Sequence, residues 1–386
     1  MPSDKTRIVF FVDILQRHFD GVSNTMHQLA SRLPKDKIEA IFITTFPPDE
    51  FDFKVYTCPY FQLPLYKDYR VGQPSRMKDL EKILNDFNPH LVHYTSPTLL
   101  GKYAIKYAQK RNIPVTSTYH THFYSYMEYY FGFFPPLESA IGWIVKSLTR
   151  WFYIRTTKTF VPSTPMKEFL ESLGIPSGKI AFFRRGINTQ HFGPEFEDDH
   201  WKSSIGLKDQ KIILFVSRLV KEKELDTIIR VYTLFQERNE NVKFVITGDG
   251  PFKRYMEKKM PEAHFTGKQT KEELAKTYAS SDLFIFPSVT ETFGNVVLEA
   301  LASGLPAVVA KAGGPQGIVE RSGGGFTVEP KNEEAFYQNL NMLLEDSVLY
   351  EEKRVKAISY AQEQRWEDIC GQMSQDLIEI AEKEPS

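Results

Sequence analysis

Leu283-Phe-Ile-Phe-Pro-Ser-Val-Thr-Glu-Thr-Phe-Gly-Asn-Val-Val-Leu-Glu-Ala-Leu-Ala302 reads as a strand, a turn and a helix. Leu283 to Phe286 is an unbroken apolar run closed by Pro287, and Val296, Val297 and Leu301, with the small Ala300 and Ala302, then follow a helical period. Glu291 therefore falls in the loop before the helix and Glu299 about one turn inside it. Phe293, Gly294 and Asn295 supply N–H groups at a helix start, where intrahelical acceptors are missing and the macrodipole is positive, so an anion belongs there. Two carboxylates eight positions apart flank that place, each able to accept from a pair of vicinal hydroxyls, one on a ribose and one on a hexose. Such charge-assisted bonds are worth roughly 1.5 to 3 kcal/mol each. An isolated glutamate pair beside a helix is more often a solvated pair, so the remaining turns decide.

Short β-branched and apolar runs recur at Arg7 to Asp13, Ala40 to Thr45, Leu91 to Tyr94, Val115 to Tyr119 and Thr159 to Val161, with helical periodicity between them. The pattern restarts at Ile212 to Val216, Val242 to Thr247, His264 to Phe265, Leu283 to Phe286, Ala307 to Val309 and Phe326 to Val328. Alternation of this kind predicts an α/β fold of two Rossmann-like domains, each a parallel sheet covered on both faces. The expected boundaries are 1–190, a linker at 191–210 whose Pro194, Gly206 and acidic run Glu195, Glu197, Asp198, Asp199 suit solvent, a second domain at 211–362 and a terminal helix at 363–386. Ligands bind such sheets at the carboxyl ends of their strands, and two domains facing across a cleft would bring those ends together.

With 386 residues, 41% hydrophobic and 25% charged, the chain has ordinary soluble composition, and its net charge of -1 gives no general attraction to nucleic acid. Two cysteines, Cys58 and Cys370, make neither a disulfide framework nor a zinc site and fit a reducing compartment. No signal-peptide pattern or membrane-length apolar segment is read. The expected location is the cytosol or the cytosolic face of a membrane.

Arg218 and Lys223 leave the strand ending at Val216 together and offer two positive charges to a diphosphate; Lys221 reads as a surface charge. Thr247-Gly-Asp-Gly-Pro251 is a tight turn in which Gly248 permits close backbone approach, and Gly267 after His264-Phe265 is a candidate wall for a nucleobase. In the first half, Gly21 follows the strand ending at Asp13 and can present a bare N–H to a phosphate or sugar. His120 and His122, after the strand at Val115, are candidates to bond a hydroxyl or take up charge. No Asp-x-Asp tripeptide or third metal ligand accompanies them. P-loop, dinucleotide G-x-G-x-x-G and G-x-S-x-G patterns are absent from the expected places.

In their order these turns resemble the family 4 retaining glycosyltransferases, the group 1 set of GT-B architecture. The resemblance runs through the Gly21 loop, Thr118-Tyr-His-Thr121, Val161-Pro-Ser163, Arg185-Gly-Ile-Asn-Thr189, Ser217-Arg-Leu219 with Lys223, Gly248-Asp-Gly-Pro251, the Glu291 to Glu299 segment, Gly304-Leu-Pro306 and Gly313-Gly314. It implies that Glu291 contacts the donor hexose, Glu299 the ribose, Arg218 and Lys223 the diphosphate, and that His120 lies near the transferred sugar. It further implies that no metal or other cofactor is needed, the nucleoside diphosphate sugar being a co-substrate, and that a C-terminal helix around Trp366 returns to the first domain. Asn188 and Asp20 depart from the residues usual in the family. Tyr69-Arg-Val-Gly-Gln-Pro-Ser75 and His93-Tyr-Thr-Ser-Pro97 look most like the branch holding sulfoquinovosyl-diacylglycerol synthases and phosphatidylinositol mannosyltransferases, which implies a lipid or glycan acceptor.

Aromatic residues Tyr124, Tyr126, Tyr129, Tyr130, Phe131, Phe133 and Phe134, then Trp143, Trp151, Phe152 and Tyr153 among Lys146, Arg150, Arg155 and Lys158, suit an anionic membrane interface. The spacing Ile141, Ile144, Val145, Leu148 equally suits packing onto a core. The expected activity is transfer of a hexose from a UDP- or GDP-sugar to an acceptor hydroxyl with retention. The alternatives are a sugar-nucleotide epimerase or phosphorylase on the same architecture, or a non-catalytic sugar-nucleotide-binding subunit.

Overall fold

The computed structural model describes residues 5–16, 19, 21–63, 66–120, 135–207, 210–238 and 241–383, of which residues 63, 66–69 and 135–140 by their backbone alone. The chain divides into two units. Residues through 120, Pro135–Arg184 and the chain from Trp366 onward belong to the first, and Arg185–Arg365 to the second.

The first unit is built on a parallel sheet of β1 (Thr6–Ile14), β2 (Ile38–Phe46), β3 (Lys54–Thr57), β6 (Leu91–Tyr94), β7 (Val115–Thr118), β8 (Lys158–Val161) and β9 (Ile180–Phe182), in the order β3-β2-β1-β6-β7-β8-β9. An antiparallel hairpin of β4 (Tyr60–Leu63) and β5 (Tyr66–Gly72) stands apart from it. Successive strand residues point to opposite faces, and β1 serves both: Val9 and Phe11 enter one core cluster, Ile8, Phe10 and Val12 the other. Its register with β2 runs from Thr6 opposite Ile38 to Ile14 opposite Phe46.

The second unit repeats the plan with β10 (Lys211–Val216), β11 (Val242–Thr247), β12 (His264–Gly267), β13 (Leu283–Phe286), β14 (Ala307–Ala310) and β15 (Gly325–Val328), ordered β12-β11-β10-β13-β14-β15 and all parallel. In each sheet the order reverses once, between β1 and β6 and between β10 and β13. The loops leaving those neighbouring strands diverge to opposite faces and open a crevice at their carboxyl ends. That geometry selects the turns after β10 and β13 in the second unit, and those after β1 and β6 in the first.

The expected solvated linker is folded. Pro194–Phe196 forms a turn and Asp199–Ser204 a short helix, and Phe196, Trp201 and Ile205 pack on the second-unit core. Asp198 caps that helix, its Oδ1 accepting from the Trp201 N–H at 3.0 Å, while its Oδ2 meets Lys276 at 2.9 Å. An acidic run that reads as solvent-seeking thus contains a helix cap. The edge strands β3 and β9, whose side chains are partly exposed, and the hairpin β4–β5 also escape the sequence reading.

The helix Trp366–Glu382 supplies Trp366, Cys370, Met373, Leu377 and Ile380 to the cluster built by Ile8, Phe10, Phe42, Met26 and Leu29. Their spacing of four and three residues lays one apolar stripe along the helix, and that stripe completes one face of the first sheet. Leu377→Ala is expected to cost about 3 kcal/mol, the usual size of a buried leucine truncation, measured as a lowered urea midpoint.

Candidate functional site

The second-unit site begins with the turn after β10. Ser217 N–H donates to the Thr247 carbonyl at 3.1 Å, Leu219 N–H to Asp249 at 2.9 Å, and Phe252 N–H to Leu219 at 3.1 Å. Gly248, at φ 128°, makes this closeness possible, since a Cβ there would stand 1.9 Å from the Ser217 carbonyl oxygen. The room left by its missing side chain is taken by the neighbouring turn. Its N–H donates to the Gly267 carbonyl at 2.8 Å, which ties the ends of β11 and β12 together.

The chain then coils through a 3₁₀ turn, Lys221–Lys223, and Glu224 takes a left-handed conformation at φ 54° to enter the helix Leu225–Arg238. Ser288 Oγ and Thr290 Oγ1 both donate to the Glu222 carbonyl, at 3.3 and 3.4 Å, and lash this turn to the loop after β13. The Lys223 side chain, 4% exposed, is thereby aimed at Glu291, and its Nζ donates to Oε1 at 2.5 Å. Arg218 is 70% exposed and lies 3.8 Å from the carboxylate of buried Glu222. The sequence places two cations after one strand; the fold buries one and leaves the other on the surface.

Gly294 caps the helix Asn295–Ala302 at φ 98°, and its carbonyl accepts from both Val297 and Leu298. The amides of Asn295 and Val296 have no helical carbonyl before them and sit at the positive end of the helix. Phe293 is buried, so only its backbone can face a ligand, whereas Asn295 is exposed. Gly313 and Gly314 open the next helix directly against this loop: Gly314 N–H donates to the Glu291 carbonyl at 2.8 Å, and a Cβ on Gly314 would stand 2.2 Å from Phe293 Cα.

One turn into the first helix, Glu299 is met by the Tyr278 hydroxyl, 3.1 Å from Oε2 and 3.2 Å from the Val296 carbonyl. A small part of Glu299 still reaches solvent, but its carboxyl is enclosed. Burial raises its pKa to about 7, against the opposing pull of the Tyr278 hydrogen bond and the Lys271 ammonium. The fold thus brings Arg218, Lys223, Glu291, Phe293, Gly294, Asn295 and Glu299 to the switch point between β10 and β13, with Gly248 and Gly267 beside it.

Gly21 and His120 belong to the first unit. Gly21 starts the helix Gly21–Ser31 and is exposed; His120 is buried just beyond β7. Asp13, read in the sequence only as the end of a strand, is a buried anchor there. Its Oδ2 accepts from Thr98 Oγ1 at 3.1 Å, and its carbonyl accepts from Thr45 Oγ1, joining the ends of β1 and β2 to the turn after β6. His122 and the aromatic residues between 124 and 134 lie outside the described residues. Among the described residues no cluster of three or more His, Cys, Asp or Glu side chains could hold a metal ion.

Two family patterns cover most of the chain. The one described as Glycosyltransferase Family 4 matches residues 19–191, and Glycosyl transferases group 1 matches residues 197–364. The chain is 30% identical over 366 residues to a sulfoquinovosyl transferase of Arabidopsis thaliana, spanning 89% of this chain and 68% of the relative. It is 28% identical over 328 residues to an alpha-monoglucosyldiacylglycerol synthase of Streptococcus pneumoniae, spanning 78% and 70%. Sucrose-phosphate synthase of Thermosynechococcus elongatus superposes with a TM-score of 0.74 at 18% identity, covering 96% of this chain and 98% of that one, a likeness of fold.

The raised pKa of Glu299 has a sign that can be measured. A carboxyl whose folded pKa lies above its unfolded value binds its proton more tightly when folded. Its stabilising contribution is complete below the ordinary glutamate value of 4.5 and is lost as pH rises to about 7. Glu299→Gln is therefore expected to flatten the fall in stability between those pH values, read from urea midpoints across the range.

Proposed function

This chain belongs to the group 1 glycosyltransferases of family 4, and we propose that it moves a hexose from a UDP- or GDP-sugar to a lipid hydroxyl with retention at the anomeric carbon. Membership of this family favours transfer over the epimerase, phosphorylase and non-catalytic readings. The observation that carries the proposal is the meeting of the Lys223 ammonium, the Glu291 carboxylate and the helix start at Gly294 in one place. Together they offer a cation and amide dipoles for a diphosphate and an acceptor for sugar hydroxyls.

As the bond from the sugar to the diphosphate breaks, negative charge grows on the leaving oxygen. Arg218, Lys223 and the Asn295 amide region bind that charge more strongly in the transition state than in the ground state, which lowers the barrier. Glu291 orients the hexose and Glu299 the ribose, and the family resemblance assigns His120 a contact with the transferred sugar. No protein nucleophile is assigned. Glu291→Gln is expected to reduce kcat about a hundredfold, on the scale of losing a preorganised electrostatic contact, while Glu299→Ala chiefly raises the donor KM. Steady-state kinetics with the UDP- or GDP-sugar that most raises the melting temperature measure both, and unchanged constants in both variants would defeat the assignment.

The lipid acceptor is supported by the diacylglycerol named in the Streptococcus pneumoniae relative and by one helix of the first unit. On Pro135–Tyr153, Trp143 is 71% exposed, with Ile144 and Leu148 beside it also on the surface. Ile144 and Leu148 therefore do not pack inward as their spacing allowed. Arg155 stacks over Trp151 at 4.5 Å, and neither it nor Arg150 has a carboxylate partner among the described residues. Among the described residues no helix is long and apolar enough to cross a membrane. The reading is a peripheral face that rests on an anionic bilayer. Replacing Trp143 and Leu148 by serine is expected to lower co-sedimentation with phosphatidylglycerol-containing vesicles about tenfold or more, the loss of two large apolar side chains from the interface; undiminished binding would refute it.

A further inference from the structure

Both cations of the second-unit site are already neutralised by the chain itself. Lys223 is paired with Glu291, and Arg218 stands beside Glu222, whose side chain is only 5% exposed. The four formal charges sum to zero, in a place where a diphosphate needs positive charge. A lysine can carry three hydrogen bonds, but the Lys223 side chain is only 4% exposed and its ammonium already donates to Glu291. Glu291 is the movable member of the pair: its side chain is 30% exposed and is carried on a loop, whereas Lys223 is wedged in a turn held by Ser288 and Thr290.

We propose that the donor binds by exchange of partners, its diphosphate displacing Glu291 from Lys223 and so releasing that carboxylate to the hexose. This rests on the reading of Lys223 as a diphosphate ligand and of Glu291 as a hexose ligand. A buried ammonium left alone is strongly unfavourable, so the free protein needs an internal counter-ion, and Glu291 supplies it. The hexose-orienting group becomes available only after the diphosphate is seated. A nucleoside diphosphate without its sugar must break the same ion pair but offers Glu291 nothing in return. It therefore binds more weakly than two cations alone would suggest, and after transfer Glu291 recaptures Lys223 as the product leaves. Arg218 and Glu222 repeat the arrangement in a looser and more exposed form.

The test turns on opposite signs in one variant. Glu291→Gln keeps the shape and removes the charge, so UDP or GDP should bind at least tenfold more tightly, the order of a charge-assisted hydrogen bond that no longer has to be broken. Turnover of the corresponding nucleotide sugar should fall. Calorimetric titration with UDP and with GDP reads the first effect and product formation the second. Glu291→Asp, which withdraws the carboxylate without removing it, should tighten binding by a smaller factor and covers the case in which the glutamine variant folds poorly. In a Lys223→Ala background the gain from Glu291→Gln should vanish. Unchanged or weaker diphosphate binding in both Glu291 variants overturns the exchange. If Lys223→Ala alone leaves diphosphate affinity untouched, it is the assignment of Lys223 that fails.

Discussion

Lys223 can be buried only because Glu291 is there. An enclosed ammonium without a counter-ion would be expelled or deprotonated, so the loop after β13 and the turn after β10 are obliged to close on one another. The rest of the second unit makes that closure exact enough to hold. Ser288 and Thr290 fix the Glu222 carbonyl, Gly248 lets the next turn press against Ser217, and Gly314 admits the following helix onto the Glu291 carbonyl. A reversal of strand order brings the two loops into reach, and local hydrogen bonds set the distance.

The site separates two carboxylates by environment. Glu291 is charged against a lysine and partly open, while Glu299 is enclosed in the helix wall with a tyrosine hydroxyl as its partner. One is positioned by an ion pair that can be exchanged; the other is held by a neutral donor beside the backbone of its own helix. Two residues of the same type on one short segment therefore sit in opposite electrostatic surroundings.

Much of this was legible in the sequence because buried parallel strands announce themselves as unbroken apolar runs. Leu283 to Phe286 and Val242 to Thr247 have the bounds read from the sequence, and the turns that follow such strands led to Arg218, Lys223, Glu291 and Glu299. Lys54-Val-Tyr-Thr57 was not legible, since an edge strand with a charged and half-exposed face carries no such run. Which of two nearby cations would be buried was also hidden. So were the roles of Glu222, Tyr278 and Asp13, because each depends on a neighbour more than 20 residues away or on a turn that composition does not describe. Asp198 shows the opposite error, in which a charge suggested solvent and was in fact holding a helix end.

The first unit does not own a contiguous stretch of chain. Its second core cluster needs Phe10 and Phe42 from the beginning and Trp366, Met373 and Leu377 from the end, with the whole of the second unit encoded between them. During synthesis the amino-terminal sheet leaves the ribosome with one apolar face only partly covered, by Met26 and Leu29 of the helix Gly21–Ser31, and it stays so until more than 180 further codons have been read. The later half can fold while the earlier half waits. The usual order of N-terminal domain first is therefore reversed for the last step, and the exposed face of β1 and β2 is the surface that a chaperone would have to guard in the interval.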